Sequence, residues 1–94
     1  MQTLIKNGWV IDPANMIDGS FDILISDGKI KAISPHGKIS ASKIKREEVI
    51  NAKGCVVAPG FCDMHVHFRE PGHEYKETIE TGSASAAAGG FSSV

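Results

Sequence analysis

Apolar residues in the first half of the chain recur at the spacing of strands. Leu4-Ile5-Lys6 and Trp9-Val10-Ile11 are short apolar runs around Asn7-Gly8, and Phe21, Ile23 and Ile25 alternate with Asp22, Leu24 and Ser26. Side chains two apart in an extended segment share a face, so this alternation predicts half-buried strands. Asp27-Gly28 separates the second run from Lys29-Ile30-Lys31-Ala32-Ile33. A two-residue Asp-Gly loop predicts a hairpin, because the favoured turn needs positive φ at both central residues. Asn7-Gly8 is a weaker version of the same signal. Residues 34–47 are polar with one Pro and one Gly and read as loop, and Val49-Ile50 reads as the start of another strand.

The pattern changes near Cys55. Cys55-Val56-Val57-Ala58 is an apolar run of the buried type, closed by Pro59-Gly60. Phe61 to Arg69 reads as a strand, and Glu70-Pro71-Gly72 as a turn. A helix is expected from about Glu74 to Ala88, with Glu74, Glu77 and Glu80 near its positive end and Gly89-Gly90 as its stop. Its later half is built of small residues, which suits close packing on a sheet. Phe91-Ser92-Ser93-Val94 reads as the opening of a second strand. The order is antiparallel hairpins followed by strand, helix and strand. It divides the chain into a β segment, residues 1–54, and a first βα unit with the start of the next strand, residues 55–94. A lone βα unit cannot cover both faces of its strand, so the pattern calls for more chain.

Composition narrows the classes. Ten Lys and Arg against eleven Asp and Glu give a formal charge of −1. No basic stripe marks a nucleic-acid face. The mixed run Lys43 to Glu48 reads as solvated. No stretch has the length of a membrane helix and no signal peptide is evident, so a soluble cytoplasmic protein is expected. Cys55 and Cys62 bracket an extended segment spanning roughly 23 Å, too far for a disulfide. Both read as reduced packing residues, and neither stands in a C-x-x-C pair.

The candidate chemistry lies between Phe61 and Arg69. Phe61, Asp63, His65 and His67 share one parity, while Cys62, Met64, Val66 and Phe68 form an apolar face suited to packing under helices. Two histidines at i and i+2 can offer neutral ring nitrogens to one metal ion. Taken alone, an H-x-H pair is a weak signal and is more often a surface or hydrogen-bonded pair. His36 and His73 lie in turn-like segments and read as solvent-exposed, without a role. Glu70 reads as an exposed turn carboxylate, and Glu77 and Glu80 as solvated helix residues.

The run Pro59-Gly60-Phe61-Cys62-Asp63-Met64-His65-Val66-His67-Phe68-Arg69-Glu70-Pro71-Gly72 resembles the first-strand signature of the amidohydrolase superfamily. Glu74-Tyr75-Lys76-Glu77 and the small-residue helix ending Gly89-Gly90-Phe91 are similar to its dihydroorotase branch, of the longer bacterial and multifunctional type. The resemblance is specific over residues 58–91 and generic over residues 1–57. It implies an α/β fold: the start of a (β/α)₈ TIM-like barrel, preceded by part of a small composite β-sandwich, with the barrel incomplete in this chain. It further implies one or two Zn²⁺ ions per subunit, with His65 and His67 as ligands of the more buried one. Arg69 corresponds to the arginine that grips the substrate carboxylate, and Asp63 to a position behind the metal ligands. The implied reaction is the reversible cyclisation of N-carbamoyl-L-aspartate to L-dihydroorotate in pyrimidine biosynthesis. Its catalytic base and remaining ligands are expected beyond Val94. A small-molecule substrate, a homo-oligomeric parent and an association with aspartate transcarbamoylase complete the expectation. Two alternatives stay open: an allantoinase- or hydantoinase-type cyclic amidase, and a non-catalytic relative supporting aspartate transcarbamoylase. The isolated 94 residues are expected to be inactive and to bind zinc weakly.

Overall fold

A computed structural model describes all residues from Met1 to Val94. The chain is α/β and separates into two compact units, Met1–Pro59 and Gly60–Val94.

The first unit is a five-stranded sheet. β1 (Gln2–Asp12) pairs antiparallel with β2 (Ile17–Ser26), which pairs antiparallel with β3 (Lys29–Pro35). The Asp27-Gly28 loop has positive φ at both residues, 50° and 76°, as the hairpin signal requires. On its other edge β1 runs parallel to β4 (Val49–Asn51) and then to β5 (Val56–Val57). The run after Cys55 therefore joins the first sheet, and the structural division falls after Pro59 rather than after residue 54. Leu4, Val10 and Ile23 are buried on this sheet, with Ala52 beside them.

Asn7-Gly8 does not turn the chain. β1 runs straight through it, and Lys6 and Asn7 together face the single residue Asp22 across the ladder. This is a β-bulge, with Asn7 at φ 67° in the left-handed region that asparagine tolerates. The bulge is held from both sides. The Asn7 N–H donates to Asp22 Oδ1 at 3.0 Å, and the Asn7 side-chain amide donates to Asn51 Oδ1 at 2.9 Å. Gly8 is required here, because a Cβ would run into the side chains of Val57 and Ala52.

Asp22 is fully buried. Besides Asn7 it accepts from the Gly37 N–H at 2.9 Å and from His36 Nδ1 at 3.0 Å. Burial pushes this carboxyl up, but the bonds from Gly37, His36 and Asn7 outweigh it and hold it below its ordinary range. His36, a loop histidine without a role in the sequence pattern, is thus a partner of the one buried charged side chain.

The second unit is a strand–helix–strand unit. β6 (Phe61–Cys62) pairs parallel with β7 (Phe91–Ser93), and α1 (Ile79–Ala88) connects them. The helix starts later than the sequence suggests. Its cap is Thr78, whose hydroxyl accepts from the Thr81 N–H while the Thr81 hydroxyl accepts from the Thr78 N–H. That reciprocal cap defines the first turn, so Glu74 and Glu77 fall in the turns before it. Gly89 and Gly90 end the helix, with Gly90 at φ 89°. The Gly82 face meets the ring of Phe68, leaving no room for a Cβ. No helix is long and apolar enough to cross a membrane.

Candidate metal and substrate site

β6 is shorter than the alternation suggests. Regular pairing ends at Cys62, and Asp63 to Arg69 continue without ladder partners apart from the Asp63 N–H, which donates to Ser93 C=O at 3.0 Å. The segment leaves the sheet at the C-terminal end of its strand, the end at which parallel α/β sheets carry their sites. Asp63 shapes the exit: its Oδ1 accepts from the His65 backbone N–H at 3.1 Å, closing a local turn. Its carboxylate is thus bonded to the His65 backbone. Met64 projects into solvent at 95% exposure, so of the expected apolar face it is Phe68 that finds a partner, on Gly82.

The two histidines converge even though they lie outside regular strand. His65 Nε2 and His67 Nε2 are 3.1 Å apart, with ring centroids at 5.0 Å and planes at 49°. In neutral tautomers one ring N–H donates to the other nitrogen. The same placement suits a shared cation: two nitrogens about 2.0–2.1 Å from one zinc ion at a near-tetrahedral angle lie about 3.1–3.4 Å apart. Both rings are exposed, so their lone pairs are reachable. The donor set fits zinc in kind and spacing but is partial, since no group of three or more His, Cys, Asp or Glu side chains converges in this chain.

Arg69 stands two residues beyond His67, and both line one shallow hollow with Pro71 and His73. Its backbone is at φ 68°, in the left-handed region, and its C=O accepts from the His73 N–H at 2.8 Å. Gly72 donates its N–H to both carboxylate oxygens of Glu74, at 3.0 and 3.1 Å, which draws the Glu74 carboxyl below its ordinary range. Glu70 borders the same hollow, and its Oε2 accepts from the Ile79 N–H at the start of α1 at 2.9 Å. No spacing rule in the sequence links residues 70 and 79, so this contact is invisible before folding. Cys55 and Cys62 are free thiols.

Residues 54–94 match the family model described as Dihydro-orotase-like. Proteins named Dihydroorotase from Aquifex aeolicus (strain VF5), Solibacter usitatus (strain Ellin6076) and Elusimicrobium minutum (strain Pei191) are 48%, 53% and 55% identical to it over 94 residues. Each alignment covers 100% of this chain and 21% of the relative, so the chain spans about one fifth of the length of these curated relatives. A solved structure described as "Crystal structure of D-hydantoinase" superposes with a TM-score of 0.79 at 36% identity, over 97% of this chain and 19% of that one.

Proposed function

We propose, from the premise that this chain belongs to the dihydroorotase-like family, that it forms part of a zinc-dependent cyclic amide hydrolase that opens and closes the ring of L-dihydroorotate. The observation that carries this reading is the convergence of His65 Nε2 and His67 Nε2 to 3.1 Å, with Arg69 beside them in one hollow. In this reading Met1–Pro59 supply part of a small β-sandwich, and Gly60–Val94 the first βα unit and second-strand start of a (β/α)₈ barrel. The further metal ligands and the proton-transferring base come from residues outside these 94. The setting is cytoplasmic pyrimidine synthesis, with a homo-oligomeric enzyme and aspartate transcarbamoylase as the candidate partner.

Each residue has a stated task. His65 and His67 present neutral imidazole nitrogens to the ion, which when bound supplies Lewis-acid polarisation of the amide carbonyl and a water of lowered pKa. Asp63 fixes the His65 backbone through the 3.1 Å bond and so limits where that ring can point. Arg69 offers a planar pair of N–H donors to the carboxylate next to the substrate's ring, a match a lysine could not reproduce. Holding that carboxylate supplies binding energy for the substrate beside the two histidines.

A sister cyclic amidase is the second reading, favoured by the likeness to D-hydantoinase. Arg69 separates the two, because a ring without a neighbouring carboxylate gives the guanidinium nothing to bind. In the full-length polypeptide carrying this segment, Arg69→Met is expected to raise KM for dihydroorotate at least about tenfold, the loss of one charge-assisted pair, with zinc content unchanged. Turnover of hydantoin or allantoin without dihydroorotate in the unaltered protein decides for the sister amidase.

A further inference from the structure

Arg69 sits between two anchors on one helix face. The residue before it, Phe68, packs its ring on Gly82. The residue after it, Glu70, accepts the Ile79 N–H at 2.9 Å. Ile79 and Gly82 are three apart in α1 and therefore share a face. The Ile79 N–H is one of the donors that a helix start leaves without an internal partner. Thr78 takes the Thr81 N–H, so the two caps do not compete. A carboxylate at this end also meets the positive pole of the helix.

The anchors matter because Arg69 holds a conformation that an L-residue does not choose by itself. Its φ of 68° lies in the left-handed region. A non-glycine residue there is strained and persists only where its surroundings hold it. The bond from His73 N–H to Arg69 C=O and those from Gly72 N–H to Glu74 lie inside the turn itself. Both close the turn without fixing it to anything else. The Glu70 bond is the polar tie from this turn to α1.

We propose that Glu70 is a positioning residue for substrate recognition: its carboxylate fastens the Arg69 turn to the first turn of α1 and so sets the direction of the guanidinium. The proposal rests on the reading of Arg69 as the group that binds the substrate carboxylate. Glu70 touches neither metal nor substrate in this scheme.

The test compares Glu70→Ala and Glu70→Gln in the full-length polypeptide carrying this segment, by steady-state kinetics on dihydroorotate, zinc content and hydrogen exchange at the Ile79 amide. Glu70→Ala is expected to raise KM about tenfold with kcat within about threefold and zinc unchanged, the pattern of binding energy lost equally from ground and transition states. Glu70→Gln keeps a carbonyl acceptor and is expected to restore KM to within about threefold of the unaltered protein. The Ile79 amide should exchange faster in the Ala variant and as slowly as the unaltered protein in the Gln variant. An unchanged KM in Glu70→Ala, or a fall in zinc alongside activity, overturns the proposal. Absence of dihydroorotate turnover in the unaltered protein is instead a failure of the underlying reading. Hydrogen exchange then still decides the anchor: unchanged Ile79 protection in Glu70→Ala overturns it.

Discussion

At the scale of single residues, the most constrained side chain lies away from the candidate site. Asp22 is buried and accepts from Asn7, Gly37 and His36. Replacing it with Asn removes the charge and turns an amide NH₂ towards backbone donors, which should destabilise the first unit by about 1–3 kcal/mol. The folded carboxyl titrates below its ordinary value of 3.8. Its stabilising contribution is therefore fully present above that value and is lost as pH falls through the lower folded one. The gap between the native protein and Asp22→Asn should narrow as pH falls below about 4. Thermal unfolding followed by the fluorescence of Trp9, the chain's one tryptophan, reads this directly; a gap that persists undiminished at pH 3 would contradict it. The alternation of residues 21–26 forecast a strand, yet gave no sign that Asp22 would turn inward to a bulge. Nor could it pair Asp22 with His36, because that contact exists only once β2 and the turn after β3 are side by side. His65 and His67 were legible because their relation is local, two residues apart in an extended segment. Arg69 is singled out by its motif, whereas the Glu70 contact has no sign in the sequence.

At the scale of elements, the hairpin at Asp27-Gly28 and the stop at Gly89-Gly90 followed from residue chemistry alone. The start of α1 did not. Glu74 and Glu77 mimic an acidic first turn, but the reciprocal Thr78–Thr81 cap fixes the start, and Glu74 instead accepts from Gly72 inside the preceding turn. Asn7-Gly8 carries the chemistry of a turn, but the ladder on either side of it continues, so its positive φ is absorbed as a bulge. The small residues of α1 have one demanding position. Gly82 is buried under Phe68, and a side chain there must displace the ring. Leucine is a better helix former than glycine by somewhat under 1 kcal/mol, whereas overpacking costs about 1–3 kcal/mol, so the clash should win. Gly82→Leu is expected to lower the melting of the helical circular-dichroism signal; an unchanged or raised midpoint would show that α1 does not rest on Phe68.

At the scale of the whole molecule, the two units carry different loads. The first unit is a sheet whose buried apolar residues are few, Leu4, Val10, Ile23 and Ala52. The second holds the candidate site on a strand of two residues and the segment that follows it. Two histidines at 3.1 Å offer a pair of nitrogen donors, and no third His, Cys, Asp or Glu converges with them. The α/β organisation and the chemical segment could be read from 94 residues because both are written in short-range patterns. Any further donors beside His65 and His67 could not, because residues distant in sequence meet only through tertiary structure. The most direct measurement is dihydroorotate ring opening by the full-length polypeptide carrying this segment, with chelator, with zinc restored, and in His65→Ala and His67→Ala. Activity that the chelator removes and zinc restores, and a loss of at least about a hundredfold with depleted zinc in each variant, is the predicted result. Full activity in either variant, or activity indifferent to the chelator, would contradict the account.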